Sequence, residues 1–354
     1  MNRDPVNVLV LSVGGNIAQG ILKALALSSL PCRVIGACVS PLAYGLYTTD
    51  QAHISPAADD PNFPDWLMTI CRRKAIQAVL AGNEAVVSVL SREAEKLRKE
   101  TGAVCVVARP ECIELGLDKL LTCAWLRDNG FKYPRFADAS DALALRRVKL
   151  TCGYPLIAKP RRGKGSEGII LITNDRELEA AGQRLDYVVQ ESVGTADEEY
   201  TVGCFCDKDG KVRGAIAMKR TLSQGTTWRA EIGAYPEVRA EAMRIAACLA
   251  PEGPCNIQLR MSDRGPVCFE INVRFSGTTP IRARFGFNEV EAALRHLVFG
   301  EPAYDLPLIT AGVALRYWNE IYVDPSAVDA LRNSGRLENP ASHHVVVEDY
   351  GMRY

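Results

Sequence analysis

Apolar residues fall along this chain in two rhythms. Short solid runs at Val6–Val13, Arg33–Val39, Ala78–Ala81 and Val104–Ala108 read as strands buried on both faces. Between them, Asn16–Leu27, Trp66–Arg73 and Glu84–Arg98 carry helical patterns. Strand alternating with helix predicts an open parallel α/β domain over residues 1–117. From Asp118 the rhythm changes. A helix at Lys119–Asn129 and a strand at Tyr133–Phe136 open a second unit, 118–301, that is richer in hairpins. Within it, Asp207-Lys208-Asp209-Gly210 turns Tyr200–Cys206 back into Val212–Met218, and a helix follows at Glu237–Leu249. A tail, 302–354, holds a strand at Gly312–Trp318, a helix at Ser326–Asn333 and a strand at Val345–Glu348. No repeat, low-complexity segment or Pro/Ser-rich linker separates these units, so they are expected to pack together.

The densest chemistry lies in Asn256–Arg274, two strands joined by a tight turn at Ser262-Asp263-Arg264-Gly265. Alternation puts Glu270 and Asn272 on one face with Arg274 beside them. A turn centred on Arg264 places Gln258 opposite Glu270 and Asn256 opposite Asn272. One carboxylate among neutral oxygen donors suits a hard cation such as Mg²⁺, which substrate phosphates complete. Two upstream segments set this hairpin apart from an ordinary polar face. Tyr154–Pro160 is an apolar strand bearing Lys159, followed by a loop with Gly163, Gly165, Ser166 and Gly168 whose glycines let backbone N–H groups approach anionic oxygens. It is not the G-x-x-x-x-G-K-[ST] loop, because the lysine comes first and no helix follows. Then Tyr187–Val193 ends a strand at Glu191, and Asp197-Glu198-Glu199-Tyr200 opens another. That edge offers backbone groups to an adenine, and Glu199 is placed for ribose hydroxyls.

In this order the segments resemble the ATP-grasp superfamily, most closely its carbamoyl phosphate synthetase and biotin carboxylase branch, with a single grasp unit. The matching residues are Asp118-Lys119, the Lys159 strand, the glycine-rich loop, Gln190-Glu191-Ser192, Glu199-Tyr200 and Gln258…Glu270-Ile271-Asn272-Val273-Arg274. The fold the resemblance implies is two α+β subdomains clasping ATP behind the N-terminal α/β domain. It also implies that Lys119 and Lys159 contact ATP phosphates while Gly163, Gly165, Ser166 and Gly168 close over them. Glu191, Ser192 and Val193 would flank the adenine and Glu199 the ribose, with Glu198 a competitor. Gln258, Glu270 and Asn272 would hold magnesium, two ions in all with Mn²⁺ able to substitute. Arg274, with Lys159, would be catalytic, steadying an acyl phosphate. The loop departs from its nearest families in carrying Arg161, Arg162, Lys164 and Glu167.

Four basic residues remain for a substrate. Arg282 and Arg284 follow Ser276-Gly277-Thr278-Thr279 and are read as a carboxylate clamp. Lys219 and Arg220 precede the loop Ser223-Gln224-Gly225-Thr226. In the N-terminal domain Gly14 and the Asn83-Glu84 junction are placed to touch an acceptor. The turn Ser12–Asn16 lacks G-x-G-x-x-G spacing and no acid follows the second strand, which disfavours a dinucleotide enzyme.

Composition narrows the rest. A chain of 354 residues, 47% hydrophobic and 24% charged with zero formal net charge, suits a multidomain soluble enzyme rather than a nucleic-acid or membrane binder. No apolar run approaches the roughly 20 residues of a membrane span, and the start lacks a signal-peptide pattern, so a cytoplasmic location is expected. Twelve cysteines include no C-x-x-C pair, and the histidines at 53, 296, 343 and 344 lie away from them in sequence. The cysteines are read as reduced and structural, Cys32, Cys38, Cys105 and Cys268 as small buried hydrophobes. The expected activity is a carboxylate–amine ligase acting on small molecules, compatible with a homodimer. The alternatives are a carbamoyl phosphate synthetase-like kinase of bicarbonate or carbamate and a non-catalytic ATP-binding regulator.

Overall fold

The computed structural model describes residues 4–163, 165, 167–340 and 345–347. Lys164, Ser166, His343, His344 and Glu348, named above, lie outside the described residues.

The solid apolar runs become the centre of a six-stranded sheet. Its order is Arg336–Glu338, Gln51–Ile54, Cys32–Cys38, Val6–Leu11, Ala78–Ala81, Val104–Cys105. The five strands from the N-terminal region are parallel, and Arg336–Glu338 joins antiparallel to Gln51–Ile54. That tail segment is also tied by Ile54 N donating to Gly335 O at 2.8 Å, Asn339 N to Asp50 O at 2.9 Å, and a Lys74–Glu338 ion pair at 3.0 Å. The chain leaves Val6–Leu11 toward one side of the sheet and later crosses to Ala78–Ala81 on the other. Loops 12–15 and 82–83 therefore part at adjacent strand ends, which in open α/β sheets leaves a ligand crevice. The second loop packs on the start of helix Asn16–Ala26, since a Cβ on Gly82 would meet Ile17 Cγ2 at 2.3 Å.

A second sheet runs Gly265–Asn272, Gly253–Ser262, Glu199–Cys206, Val212–Ser223, Thr226–Gly233, Ala311–Leu315, all antiparallel. Helix Pro236–Leu249 covers one face, burying Ile245 and Ala246 among Val202, Ile257 and Ile271. Leu9, Leu11 and Val79 of the first sheet belong to the same continuous core. The two units are thus held by shared apolar burial, the strongest term available for fixing them together.

A third sheet, Phe136–Asp138, Tyr187–Glu191, Leu156–Pro160, Ile170–Ile172, has a core of its own around Leu145, Val148, Leu156, Ala158 and Val189. Helices Ala142–Cys152 and Asp175–Gly182 cover it, with Asp141 and Asn174 as N-caps accepting backbone N–H groups. Ile321–Val323 and Val345–Val347 form a separate antiparallel pair. This is the expected combination of a parallel α/β domain with hairpin-rich α+β units. Among the described residues no helix is long and apolar enough to cross a membrane.

Candidate nucleotide and metal site

The acid-bearing hairpin reaches the expected pairing by a different route. Ser262 pairs with Gly265, so the turn is two residues long rather than centred on Arg264, and Gly265 closes it at φ +87°. Strict alternation from such a turn would put Gln258 and Glu270 on opposite faces. A β-bulge intervenes: Leu259 pairs with Cys268 but Gln258 pairs with Glu270, leaving Phe269 as the extra residue. Asn256 then faces Asn272. The Phe269 ring lies 5.7 Å from Lys159 Nζ and 5.6 Å from Arg260 Cζ, where its π face favours cations.

Glu270 Oε1 accepts from Asn272 Nδ2 at 2.8 Å and Gln258 Nε2 at 3.3 Å. Burial alone would raise this carboxyl, but Lys119 and Lys159, with Asn272 and Arg220, hold it below the ordinary glutamate value. Burial in turn depresses the Lys159 ammonium, and Glu270 counteracts part of that. The result is a desolvated carboxylate kept ionised beneath two lysines. Its charge and the amide of Asn272 fit a hard divalent cation. Gln258 shares the face, yet its Oε1 accepts from Arg220 Nη2 at 2.7 Å. Its amide nitrogen is what faces Glu270, so it becomes an oxygen ligand only by rotating away from Arg220. Asn256 is committed elsewhere, its oxygen accepting from Thr201, Ser276 and Arg282.

The basic residues of the glycine-rich loop anchor its root. Arg161 grips Asp118 at 2.6 Å, Arg162 pairs with Glu114, and Lys119 Nζ donates to Gly163 O at 2.9 Å. Asp118 also caps helix Lys119–Asp128, which fixes where Lys119 starts. Gly165 and Gly168 take φ +63° and +71°, open to glycine at little cost. The tip of the neighbouring hairpin meets this loop, since a Cβ on Gly225 would lie 2.3 Å from Gly165 O.

At the adenine-side edge, the Glu191 carboxylate receives Arg264 at 2.7 and 2.8 Å, Ser192 is half-buried and the Val193 carbonyl accepts from Arg260 at 3.4 Å. Glu199 is buried on the face of Gln258, with Arg220 on one oxygen at 2.7 Å and Arg260 on the other at 2.8 Å. Glu198 turns outward to Lys219 at 2.6 Å and Tyr200 OH at 2.7 Å.

The substrate-side residues separate. Lys219 and Arg220 are adjacent on a strand and so point to opposite faces; only Arg220 shares the site, bound to Glu199 and Gln258. The clamp expected from Arg282 is corrected. It lies on a helix, Thr279–Arg284, at 0% exposure, paired with fully buried Glu289 at 2.5 Å and bonded to Asn256, Thr278 and Thr279. Gly203 makes room for it, because a Cβ there would sit 2.5 Å from the Arg282 side chain. Gly203→Ala is therefore expected to cost roughly 1–3 kcal/mol by overpacking, read as a lower denaturant midpoint. Arg284, two residues on, is exposed on the opposite side of the helix.

In the crevice, Gly14 is exposed and packs near Ala43, while Ser12 bends the chain at φ +59°. Asn83 does not offer its side-chain oxygen to an acceptor; that oxygen caps helix Glu84–Thr101 through Ala85 N and Val86 N. Its neighbour Glu84 instead reaches Arg274 Nη2 at 2.6 Å, and Arg274 Nη1 donates to Phe275 O at 3.0 Å. Arg316, not singled out from the sequence, follows a strand and meets Asn16 and Gly277. Its partner Asn16 comes from the far end of the chain and Gly277 from another element, so no local pattern announces it.

Comparison with known proteins places this geometry. The family model for the ATP-grasp of the biosynthetic pathway with Ter operon matches residues 186–321, and that for the PylC-like N-terminal domain matches residues 8–106. The formate-dependent phosphoribosylglycinamide formyltransferase of Synechococcus sp. (strain CC9311) is 27% identical over 183 residues, 51% of this chain and 44% of that protein. A carbamoyl phosphate synthase large chain from Rubrobacter xylanophilus is 28% identical over 134 residues, 37% of this chain and 12% of its own length. The chain thus spans less than half of these curated relatives. Among solved structures, N5-carboxyaminoimidazole synthetase from Staphylococcus aureus superposes with a TM-score of 0.68 at 16% identity, covering 93% of this chain and 85% of its own. The biotin carboxylase domain of the Hydrogenobacter thermophilus 2-oxoglutarate carboxylase, in complex with MgADP, ADP and bicarbonate, gives 0.66 at 16% identity over 91% and 76%. The chain carries an ATP-grasp domain behind a PylC-like N-terminal domain.

Proposed function

We propose that this ATP-grasp chain is an ATP- and Mg²⁺-dependent carboxylate–amine ligase that works through an acyl phosphate and releases ADP and phosphate. The observation that carries this reading is the half-buried Glu270, held ionised by Lys119 and Lys159 and bonded to Asn272, at the pairing that the Phe269 bulge sets. Lys119, Lys159 and the loop from Gly163 to Gly168 take the phosphates, Glu191, Ser192 and Val193 the adenine, and Glu199 the ribose. Glu270 and Asn272 would hold magnesium, with Gln258 joining after its amide turns. Magnesium supplies charge neutralisation on the phosphates during transfer. Arg274, oriented by Glu84, steadies the acyl phosphate while the nitrogen nucleophile attacks and phosphate leaves. The loop and the Gly225 hairpin tip keep water from that intermediate.

The same reading takes the division 1–117, 118–301 and 302–354, two metal ions with Mn²⁺ able to substitute, a homodimer and a cytoplasmic setting. The named relatives, a formyltransferase, a carboxyaminoimidazole synthetase, a carbamoyl phosphate synthase and a biotin carboxylase, support the ligase class without naming this chain's substrates. The carbamoyl phosphate synthase relatives keep a bicarbonate or carbamate kinase as the second reading.

The two readings part on substrate dependence. For a ligase, ADP release requires a carboxylate and an amine together, and the product mass equals their sum less water. ADP release driven by bicarbonate with no organic carboxylate defeats the ligase and selects the kinase.

A further inference from the structure

Arg316 is a cation in an unusual setting. It follows the strand Ala311–Leu315 of the second sheet, and its Nη1 donates across to Asn16 Oδ1 of the N-terminal domain at 2.9 Å while Nη2 donates to the Gly277 carbonyl. Both partners are neutral. The arginines around the nucleotide and acid strands are matched with carboxylates, Arg282 with Glu289, Arg274 with Glu84, Arg260 and Arg220 with Glu199, whereas Arg316, like the half-buried Arg239 on Ala215 O, has neutral partners. Loss of water pushes the Arg316 guanidinium below the ordinary arginine value, and no carboxylate pulls it back. Lys23 lies near enough that, beyond its own burial, Arg316 depresses its ammonium further. Arg316 is half-buried and Lys23 stands at the exposed rim beside it, and an anion between these two cations would remove their repulsion.

The position is as telling as the charge. Asn16 opens the first helix at the parting of loops 12–15 and 82–83, and Gly277 lies on the segment that follows the acid strand Gly265–Asn272, with a Cβ there only 2.7 Å from Asn16 Nδ2. Thr226 of the hairpin tip meets the same asparagine at 3.4 Å. Two elements of the site therefore meet at the guanidinium fork, and a third, the hairpin tip, meets its Asn16 partner.

We propose that Arg316 is the anion-binding residue of this crevice, holding a carboxylate or phosphate carried by the acceptor substrate at the end away from its nucleophile. Naming the occupant as the acceptor rests on the ligase reading; the anion site does not.

The test saturates the full chain with Mg²⁺ and adenylyl imidodiphosphate, filling the nucleotide site, and then titrates inorganic phosphate and acetate separately by calorimetry. The wild type binds at least one of them saturably. Arg316→Gln weakens that binding by about 10-fold or more, and Arg316→Lys by less, because lysine keeps the charge but loses the fork. The stronger of the two anions identifies the group on the acceptor. Nucleotide affinity stays equal in all three proteins. If Arg316 only staples the two domains, Arg316→Gln lowers the melting temperature and leaves anion affinity unchanged, which overturns the proposal. A wild type that binds neither anion overturns it without any variant. Failure of the nucleotide itself to bind instead defeats the ligase reading, a separate outcome.

Discussion

Glu270→Ala abolishes ATP turnover while the chain still folds. The carboxylate pairs across the hairpin with Gln258, bonds Asn272 and feels both lysines, whereas Glu199 on the same face is taken up by Arg220 and Arg260, so losing Glu270 removes the negative charge that would hold a divalent cation against the phosphates. The expected fall is roughly 10³-fold or more, comparable to losing a principal electrostatic stabiliser of a transition state. Packing suffers far less, because the strand's apolar anchors Cys268 and Ile271 face the core. Glu270→Gln serves as the companion, preserving shape and both amide contacts while removing the charge. Circular dichroism and melting temperature then report the fold, and ADP production with saturating Mg²⁺ reports the chemistry. Near-normal ADP production by either variant would exclude Glu270 as the metal ligand and, with it, the assigned site.

Arg282→Met unfolds the protein more readily instead of altering substrate affinity. The guanidinium is fully buried and matched to a fully buried glutamate, so methionine leaves Glu289 as an uncompensated charge. Breaking one half of such a pair typically costs about 3–5 kcal/mol, or very roughly 10 °C in melting temperature for a chain of this kind. The margin is thin already, since Arg282 Nε and Glu289 Oε2 are buried without partners among the described residues. The double variant Arg282→Met, Glu289→Leu recovers most of the loss, because a well-packed apolar pair replaces a buried ionic one at little cost. A single variant that melts like the wild type but binds carboxylates poorly would return Arg282 to the substrate side.

The contrast between these two residues shows which physical signals survive in one dimension. Glu270, Asn272 and Arg274 were legible because strand periodicity alone places them together. Val8, Leu9 and Val10 were legible because burial on both sides leaves no polar position. Phe269 was not, since a bulged residue has the composition of any strand residue and only the ladder reveals it. Arg282 was misread because its fate depends on Gly203, distant in sequence, which yields the space for a guanidinium. Gln51–Ile54 escaped notice because Gln51 and His53 interrupt its apolar pattern, and its partner Arg336–Glu338 lies near the other end of the chain. The helices Ala142–Cys152 and Asp175–Gly182 had a readable mark in Asp141 and Asn174, whose side chains cap them.

The late strand Arg336–Glu338 bears on how the molecule behaves among its own copies. Gln51–Ile54 would otherwise be the outer strand of a parallel sheet, presenting a row of free amide and carbonyl groups to solution. Such a row is a template for edge-to-edge growth, and proteins ordinarily blunt it with charge, brevity or cover. Here the cover comes from the far end of the same polypeptide, and it brings Arg336 and Glu338 to the new outer border. During synthesis that cover emerges long after the strand it protects, so the N-terminal domain passes through an interval with an unguarded border. The colloidal safety of the nascent chain is thereby tied to the emergence of Arg336–Glu338, independently of any catalytic step.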